Sequence, residues 1–219
     1  PTTWGAPHFR EQMLEDKATV ARRLEEAGAV LVAKLSLGAL AMGDKWFNGR
    51  TNNPWDPRQG SSGSSAGSAS AVSAGLVGFA LGSETLGSIV SPCRRGGSTG
   101  LRPTFGRVSR HGCMALSWSM DKIGPMCRSA EDCALVFAAI HGADGRDASA
   151  RTTPFRWSAE RDPRTLRVGF LERAFESAEG YANRDFDLET LRVLREDVGI
   201  ELHPVELPDF PVDALGFIL

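Results

Sequence analysis

A tract of small residues constrains the fold of this chain more than any other feature. Residues 60–89 read GSSGSSAGSASAVSAGLVGFALGSETLGSI. Between Ala66 and Ala74 nearly every side chain is small, so a helix formed there can pack very close to its neighbours. Gly75 can end that helix, and the apolar run at 76–83 predicts a buried strand. The tract therefore predicts a closely packed helix followed by a strand.

The segments on either side of this tract alternate between helix and strand patterns. Residues 15–28, EDKATVARRLEEAG, have apolar or small side chains at helical spacing and end at Gly28. AVLVAKL at 29–35 follows directly and predicts a buried strand. Residues 129–142, SAEDCALVFAAIHG, predict a helix with Ser129 in a capping box and a glycine stop. This alternation predicts the α/β class.

The rest of the chain is less regular. ETLGSIVSPCRRGGSTG at 84–100 is rich in glycine and serine and predicts irregular structure. After a polar stretch with prolines, LRVGFL, DLETLRVLREDVG and IELHPVEL predict a strand, a helix and a strand between 166 and 207. We expect a core over residues 1–146, and we expect residues 147–219 to continue the same domain.

Charge and cysteine content exclude several classes of function. The formal net charge is −2 at pH 7, and Arg94 and Arg95 form only a two-residue basic patch, so no nucleic-acid surface is predicted. No apolar run approaches the roughly 20 residues of a membrane span. The four cysteines form no C-x-x-C pair, which favours free thiols in the cytoplasm and no metal or other cofactor. The chain has no initiator Met or signal peptide, so we expect a piece of a longer protein.

The residues alone leave three roles open for the Gly/Ser tract. It resembles a flexible linker in composition, but alanines and an apolar run replace the glycines and serines as it continues. A Gly/Ser-rich turn before a helix also suits an anion, although neither G-x-x-x-x-G-K-[ST] nor G-x-G-x-x-G is present. The third role is that of a nucleophilic serine, which needs a proton acceptor and N–H donors for an oxyanion.

The stretch GSSAGSASAVSAGLVGFALGSETLGSI resembles the signature of the amidase signature family. In that family a motif of type G-S-S-G-G-S-A precedes an apolar stretch and G-T-D-x-G-G-S-I. Further blocks resemble the family in the same order over residues 1–146, and more loosely to 219: PTTWGAPHF, AGAVLVAKLSLGALAMG, NNPWDP, TGLRPTFGRVSRHG and SWSMDKIGPMCRSAEDCALVFAAIHGAD. The resemblance implies an α/β fold with a mixed central sheet covered by helices on both faces, here incomplete.

The resemblance also implies a Ser–cis-Ser–Lys triad that cleaves amides through an acyl-enzyme. It makes Ser88 the nucleophile and Ser64 the cis-serine that relays its proton to a lysine. Ser88 lies 24 residues after Ser64, which is the family's spacing, whereas Ser61 and Ser62 give the wrong spacing. The family's lysine lies upstream of the block matched by PTTWGAP. Lys34 matches a different family lysine, so no lysine of this chain is assigned to catalysis.

A second set of residues is implied to hold the oxyanion and to support the triad. The oxyanion would be bound by backbone N–H groups of one turn, formed by Thr85, Leu86, Gly87 and Ser88. The supporting residues are Gly63, which eases the cis geometry, Ser65, and Asp121 in the SMDKIGP block. Leu86 stands where the family usually has Gly, and Val90 stands where it often has Arg.

The function expected from this resemblance is amide hydrolysis. The family includes stand-alone amidases and the A subunits of tRNA-dependent amidotransferases, so the implied partners are a small amide substrate and amidotransferase partner subunits. The alternative is a non-catalytic member that keeps the fold as a scaffold or binding subunit. The departures at Leu86 and Val90 favour that alternative.

Overall fold

The computed structural model describes residues 1–176 and 182–210, which belong to two compact units, Pro1–Trp157 and Ser158–Leu219. The helices of the first unit are α1 (Thr19–Glu26), α2 (Ala66–Ser73), α3 (Val90–Gly96) and α4 (Ala130–Ile140). Its strands are β1 (Lys45–Trp46), β2 (Gly49–Arg50), β3 (Phe79–Glu84), β4 (Thr99–Gly100) and β5 (Lys122–Cys127). Short 3₁₀ helices cover Pro7–Phe9 and Ala39–Ala41. Within the described residues no helix is long and apolar enough to cross a membrane.

Helices cover both faces of the three-stranded sheet in the first unit. Strand β5 lies between β3 and β4 and is antiparallel to both. Successive side chains of a strand point to opposite faces. Met126 packs with residues of α2 and α3, whereas its neighbour Cys127 packs with residues of α4. Ile123, on the same face as Cys127, packs with α1 and α4. The α/β class and the helices on both faces are confirmed.

The helix predictions in the first unit are confirmed. Helix α2 begins at Ala66, and Gly75 follows its end with φ of +72°. Five of its eight residues are buried, as small side chains allow. Helix α4 begins after Ser129, whose hydroxyl oxygen accepts a hydrogen bond from the Asp132 N–H. Helix α1 ends two residues before Gly28, where φ is +88°.

The segment AVLVAKL is not a strand, and this prediction was wrong. Val30, Leu31 and Val32 are 83%, 66% and 71% exposed. No ladder among the described strands includes residues 29–35. A strand requires a hydrogen-bonded neighbour as well as β-branched side chains. The local pattern is typical of a strand, but no described segment pairs with it.

The irregular structure predicted for residues 84–100 is also corrected. Residues 90–96 form α3, and Gly97 ends it in the left-handed conformation with φ of +70°. Pro92 lies in the first turn of α3, where a missing N–H costs no intrahelical hydrogen bond. Strand β5 was not predicted from periodicity, because Gly124 and Pro125 are typical of turns. Its pairing partners are distant in sequence.

The second unit contains the predicted order of strand, helix and strand. Its elements are β6 (Val168–Phe170), α5 (Glu172–Glu176), α6 (Arg184–Arg192), a π-helical turn (Val193–Asp197) and β7 (Leu202–Pro204), with a 3₁₀ helix at Pro163–Thr165. Strands β6 and β7 are parallel, as a crossover connection requires. β6 is partly exposed rather than buried. The expectation that 147–219 continue the domain of 1–146 stays a prediction.

Arg23 joins the two helices that cover one face of the sheet. Its guanidinium donates to the carbonyl oxygens at the end of α4, at 2.8, 2.8, 2.9 and 2.7 Å from residues 140, 141, 142 and 143. The last carbonyls of a helix lack intrahelical donors. Arg22, the preceding residue, forms only an exposed i,i+4 ion pair with Glu26.

We therefore expect Arg23→Leu to lower the free energy of unfolding by about 2 kcal/mol, because charged hydrogen bonds to several carbonyls are lost. The matched control Arg22→Leu should cost less than about 0.5 kcal/mol. Chemical denaturation of both variants measures the difference. Equal effects of the two substitutions would show that Arg23 does not hold the end of α4.

Candidate active site

The end of strand β3 carries a buried carboxylate that organises the following turn. The Glu84 side chain is 1% exposed. Its Oε2 accepts hydrogen bonds from the N–H groups of Ile89 at 2.7 Å and Val90 at 3.0 Å, and its Oε1 lies 3.7 Å from Nη1 of Arg102. Glu84 thus binds the N–H groups where α3 begins. Glu84 is not among the residues expected at the site, although an acidic residue between a strand and a helix start was a usable signal.

The turn between Glu84 and α3 leaves a row of backbone donors free. The N–H groups of Leu86, Gly87 and Ser88 donate to none of the described residues. Gly87 adopts the left-handed conformation, with φ of +93°, whereas Leu86 does not. Leu86, which stands where the family usually has Gly, therefore does not need a left-handed backbone conformation. Consecutive free N–H groups on one turn can bind a developing negative charge.

Thr85 fixes this turn to the segment before β5. Its hydroxyl is hydrogen-bonded to Oδ1 of Asp121, which is 8% exposed. Oδ2 of Asp121 accepts from the N–H groups of Leu116 at 2.8 Å and Ser117 at 3.0 Å. The Thr85 carbonyl oxygen accepts from Nζ of Lys122 at 2.8 Å. Asp121 therefore joins Thr85 to residues 116 and 117, its supporting role stays a prediction, and Lys122 adds a cation that periodicity did not reveal.

The two serine motifs meet through the backbone at the start of α2. The N–H of Ser65 donates to the Ser88 carbonyl at 3.2 Å, so the residue next to Ser64 lies against Ser88. The Ser65 hydroxyl donates to the Ser83 carbonyl and accepts from the Ser83 N–H, each at 3.1 Å. Ser65 thus joins α2 to both ends of the segment 83–88. Its own hydroxyl is fully engaged in these contacts.

Ser64 is buried at a tightly packed point of the chain. It is 3% exposed, and the peptide bond between Gly63 and Ser64 is cis, as the resemblance implied for this position. A Cβ at Gly63 would collide with the carbonyl oxygen of Gly43. The serine hydroxyls of this tract that form hydrogen bonds are those of Ser61, Ser62, Ser65, Ser68 and Ser70. The Ser64 and Ser88 hydroxyls are bonded neither to each other nor to another described residue. Both hydroxyls are therefore free to exchange protons with other groups.

None of the four lysines of the chain contacts either of these serines. Lys17 pairs with Glu25 at 2.7 Å, and Lys34 donates to Oγ1 of Thr2 at 2.6 Å. Lys45 is exposed on β1, and Lys122 donates to the Thr85 carbonyl. No lysine of this chain is hydrogen-bonded to Ser64 or Ser88, although Lys34 lines the same cavity as Ser64, and the catalytic lysine stays unassigned.

Ser64 faces a groove whose character changes along its length. One end is a cavity of about 520 Å³ whose lining combines polar residues, Ser64, Ser65, Ser83 and Lys34 among them, with apolar side chains such as Trp4, Trp46 and Phe47. It shares Leu35, Ser68 and Leu81 with a second cavity of about 590 Å³. That second cavity is apolar and runs between residues 29–35 and 76–81. A groove that is apolar along most of its length and polar at Ser64 suits an extended segment that ends in a polar side chain.

Burial keeps the thiol that lines the cavity beside Ser64, Cys113, unreactive. All four cysteines are free, and burial raises the pKa of Cys113 to about 11. A raised pKa keeps a thiol protonated and unreactive near neutral pH. Within residues 1–176 and 182–210, no three His, Cys, Asp or Glu side chains are grouped so as to hold a metal ion.

The chain is similar to amide-cleaving enzymes over nearly its whole length. A family model described as Amidase matches residues 1–215. The A subunit of the glutamyl-tRNA(Gln) amidotransferase of Moorella thermoacetica is 45% identical over 164 residues, which cover 72% of this chain and 34% of that protein.

Two solved structures are similar to this chain in three dimensions. The A subunit of the Thermotoga maritima glutamyl-tRNA(Gln) amidotransferase matches with a TM-score of 0.86 and 35% identity, covering 94% of this chain and 47% of that one. The peptide amidase of Stenotrophomonas maltophilia matches with a TM-score of 0.83 and 34% identity, covering 98% and 46%. The chain thus spans about a third to a half of the length of these proteins.

We expect Glu84→Gln to lower the free energy of unfolding by about 2 kcal/mol, because a neutral amide binds the two N–H groups less strongly and turns an NH₂ group toward Arg102. Glu11→Gln is the control, since Glu11 is exposed and has no hydrogen bond within the described residues. It should change stability by less than about 0.5 kcal/mol. Urea denaturation measures both. An unchanged midpoint for Glu84→Gln would contradict this account of the turn.

Proposed function

This chain belongs to the amidase family, and we propose that it carries the nucleophile and the oxyanion site of an enzyme that cleaves carbon–nitrogen bonds of amides. The observation that supports this most directly is the turn from Thr85 to Ser88. It presents free backbone N–H groups beside a free serine hydroxyl, the two components that acyl transfer to serine requires.

The proposed reaction begins at Ser88. Its Oγ attacks the carbonyl carbon of the amide while its proton passes to the hydroxyl of Ser64, which passes its own proton to a neutral lysine. The carbonyl oxygen becomes an oxyanion held by the N–H groups of Leu86, Gly87 and Ser88. Collapse of this tetrahedral intermediate breaks the C–N bond, and the lysine proton returns to the departing amine or ammonia. Water then hydrolyses the ester on Ser88, and the acid is released.

We place the lysine of this relay outside residues 1–219. No lysine of the chain is hydrogen-bonded to Ser64. Lys34 lines the same cavity but donates to Oγ1 of Thr2 at 2.6 Å, and the groove beside Ser64 supports a source of the lysine outside this chain. An extended segment that packs its apolar residues between 29–35 and 76–81 would reach the polar cavity at Ser64 with its last side chain. Burial there would lower the pKa of an ammonium group, which a proton acceptor at neutral pH requires.

The substrate class we propose is a small amide, with partner subunits if the released ammonia is used by an amidotransferase. The relatives named as amidotransferase subunits and as a peptide amidase support both versions, which share the acyl-enzyme on Ser88 and differ in what receives the released ammonia. We also propose a cytoplasmic protein, because the four thiols are free and three of them are buried.

The decisive test uses the natural protein at its full length. We expect Ser88→Ala to lower kcat for a primary amide by at least about 10³-fold, because no other group can form the ester. Ser64→Ala should cause a loss of similar size, because the proton relay is broken. Amide turnover is followed by ammonia release.

Ser62→Ala is the matched control. Ser62 lies in the same tract, and its hydroxyl contacts only the Ser91 hydroxyl, at 2.9 Å, on the exposed surface. This variant should keep kcat within about twofold. Amide turnover by the Ser88→Ala variant would show that Ser88 is not the nucleophile. A folded wild-type protein that turns over no amide would instead favour the non-catalytic scaffold.

A further inference from the structure

We propose that Lys122 is a positioning residue of the amidase reaction, which strengthens the oxyanion site by polarising the peptide group between Thr85 and Leu86. This inference rests on the proposed function. It assigns a role to a cation that belongs to neither the serine pair nor the expected lysine of the relay.

The pairing of β3 with β5 places this cation. Lys122 is opposite Glu84 in the antiparallel register, at the point where β3 ends and the turn begins. From there its Nζ donates to the Thr85 carbonyl oxygen at 2.8 Å. That carbonyl belongs to the same peptide group as the Leu86 N–H, which has no acceptor among the described residues. One end of the peptide group thus holds a cation while its other end is free.

A cation at the carbonyl oxygen of a peptide group changes the hydrogen-bond strength of the N–H in the same group. The ammonium draws electron density toward the carbonyl oxygen, and resonance in the peptide group makes the N–H more positive and a stronger donor. Hydrogen bonds with a charged partner are also about twice as strong as neutral ones. The effect matters most when the substrate oxygen becomes negative, so it lowers the barrier more than it strengthens substrate binding.

The charges around Lys122 leave its ammonium available for this contact. Burial and the neighbouring Arg102 lower its pKa from the usual value of 10.5, while Glu84 and Asp121 oppose the shift. Glu84 directs its carboxylate to the start of α3 and to Arg102. Asp121 directs its own to Thr85 and to two N–H groups. Neither carboxylate forms an ion pair with Lys122.

A purely structural role is the competing explanation, since the same hydrogen bond ties β5 to the turn. The two explanations differ in their pH dependence. If the charge acts on the oxyanion, kcat falls as rising pH removes the proton from Lys122. Because the pKa of Lys122 is lowered, this fall begins at a lower pH than it would for an ordinary lysine. If the hydrogen bond only joins β5 to the turn, its loss lowers the free energy of unfolding instead.

The experiment compares variants of the natural protein at its full length, with a primary amide as substrate. We expect Lys122→Met to lower kcat about 10-fold with KM within about twofold, because only transition-state stabilisation is lost. Lys122→Arg should retain kcat within about threefold, and its alkaline fall should move to higher pH because the guanidinium stays charged. Lys45→Met, on the exposed β1, is the control and should match the wild type.

Each outcome decides the proposal. A Lys122→Met variant with wild-type kcat overturns it. A Lys122→Arg variant that loses activity and has a lower unfolding midpoint also overturns it. The same holds if the decrease of kcat at alkaline pH occurs at the same pH in Lys122→Arg as in the wild type. If Lys122→Met fails to fold, the pH profile of Lys122→Arg still decides. Ser88→Ala tests the proposed function separately from the role of Lys122. Turnover that does not depend on Ser88 overturns both proposals. Turnover that depends on Ser88 but is unaffected by Lys122→Met overturns the role of Lys122 alone.

Discussion

The antiparallel pairing of β3 with β5 is the interaction on which the candidate site depends. Six residue pairs from Phe79–Cys127 to Glu84–Lys122 hold the end of β3, and helices cover both faces of the pair. The turn that follows β3 is therefore anchored on a rigid, buried element. The same pairing delivers Asp121 and Lys122 to Thr85. Sites built on paired strands keep their donors in place without help from the substrate.

Small residues are required wherever the two serine motifs approach each other. A Cβ at Gly82 would lie 2.6 Å from Sδ of Met126 and 2.9 Å from Oγ of Ser65, and a Cβ at Gly67 would lie 2.6 Å from the backbone of Ser36. The contacts of Gly82 leave no room for a side chain where the start of α2 meets β3, and the contact of Gly67 brings α2 close to Ser36. The low volume of the tract is thus a packing requirement rather than a sign of flexibility.

Some backbone N–H groups of the turn after β3 bind the Glu84 carboxylate, whereas others are free for the proposed chemistry. Glu84 binds the donors of Ile89 and Val90, which belong to the helix start, and leaves the preceding donors free. Lys122 binds a carbonyl of the same turn from the other side. Opposite charges therefore hold the two ends of one short loop, and neither charge competes with the serine hydroxyl. Such an arrangement keeps the donors fixed before the reaction begins.

The sequence by itself determined the class of the chain, the helices around α2 and α4, and the motifs that set Ser64 and Ser88 24 residues apart, because caps, small-residue runs and motif order are local signals. It did not determine that 29–35 lacks a ladder, that β5 passes through Gly124 and Pro125, or that Glu84 and Lys122 act on the same turn. Each of these depends on a partner far along the chain, since Lys122 lies 38 residues after Glu84. Only tertiary structure decides which backbone groups meet, because hydrogen-bond pairing carries no local pattern.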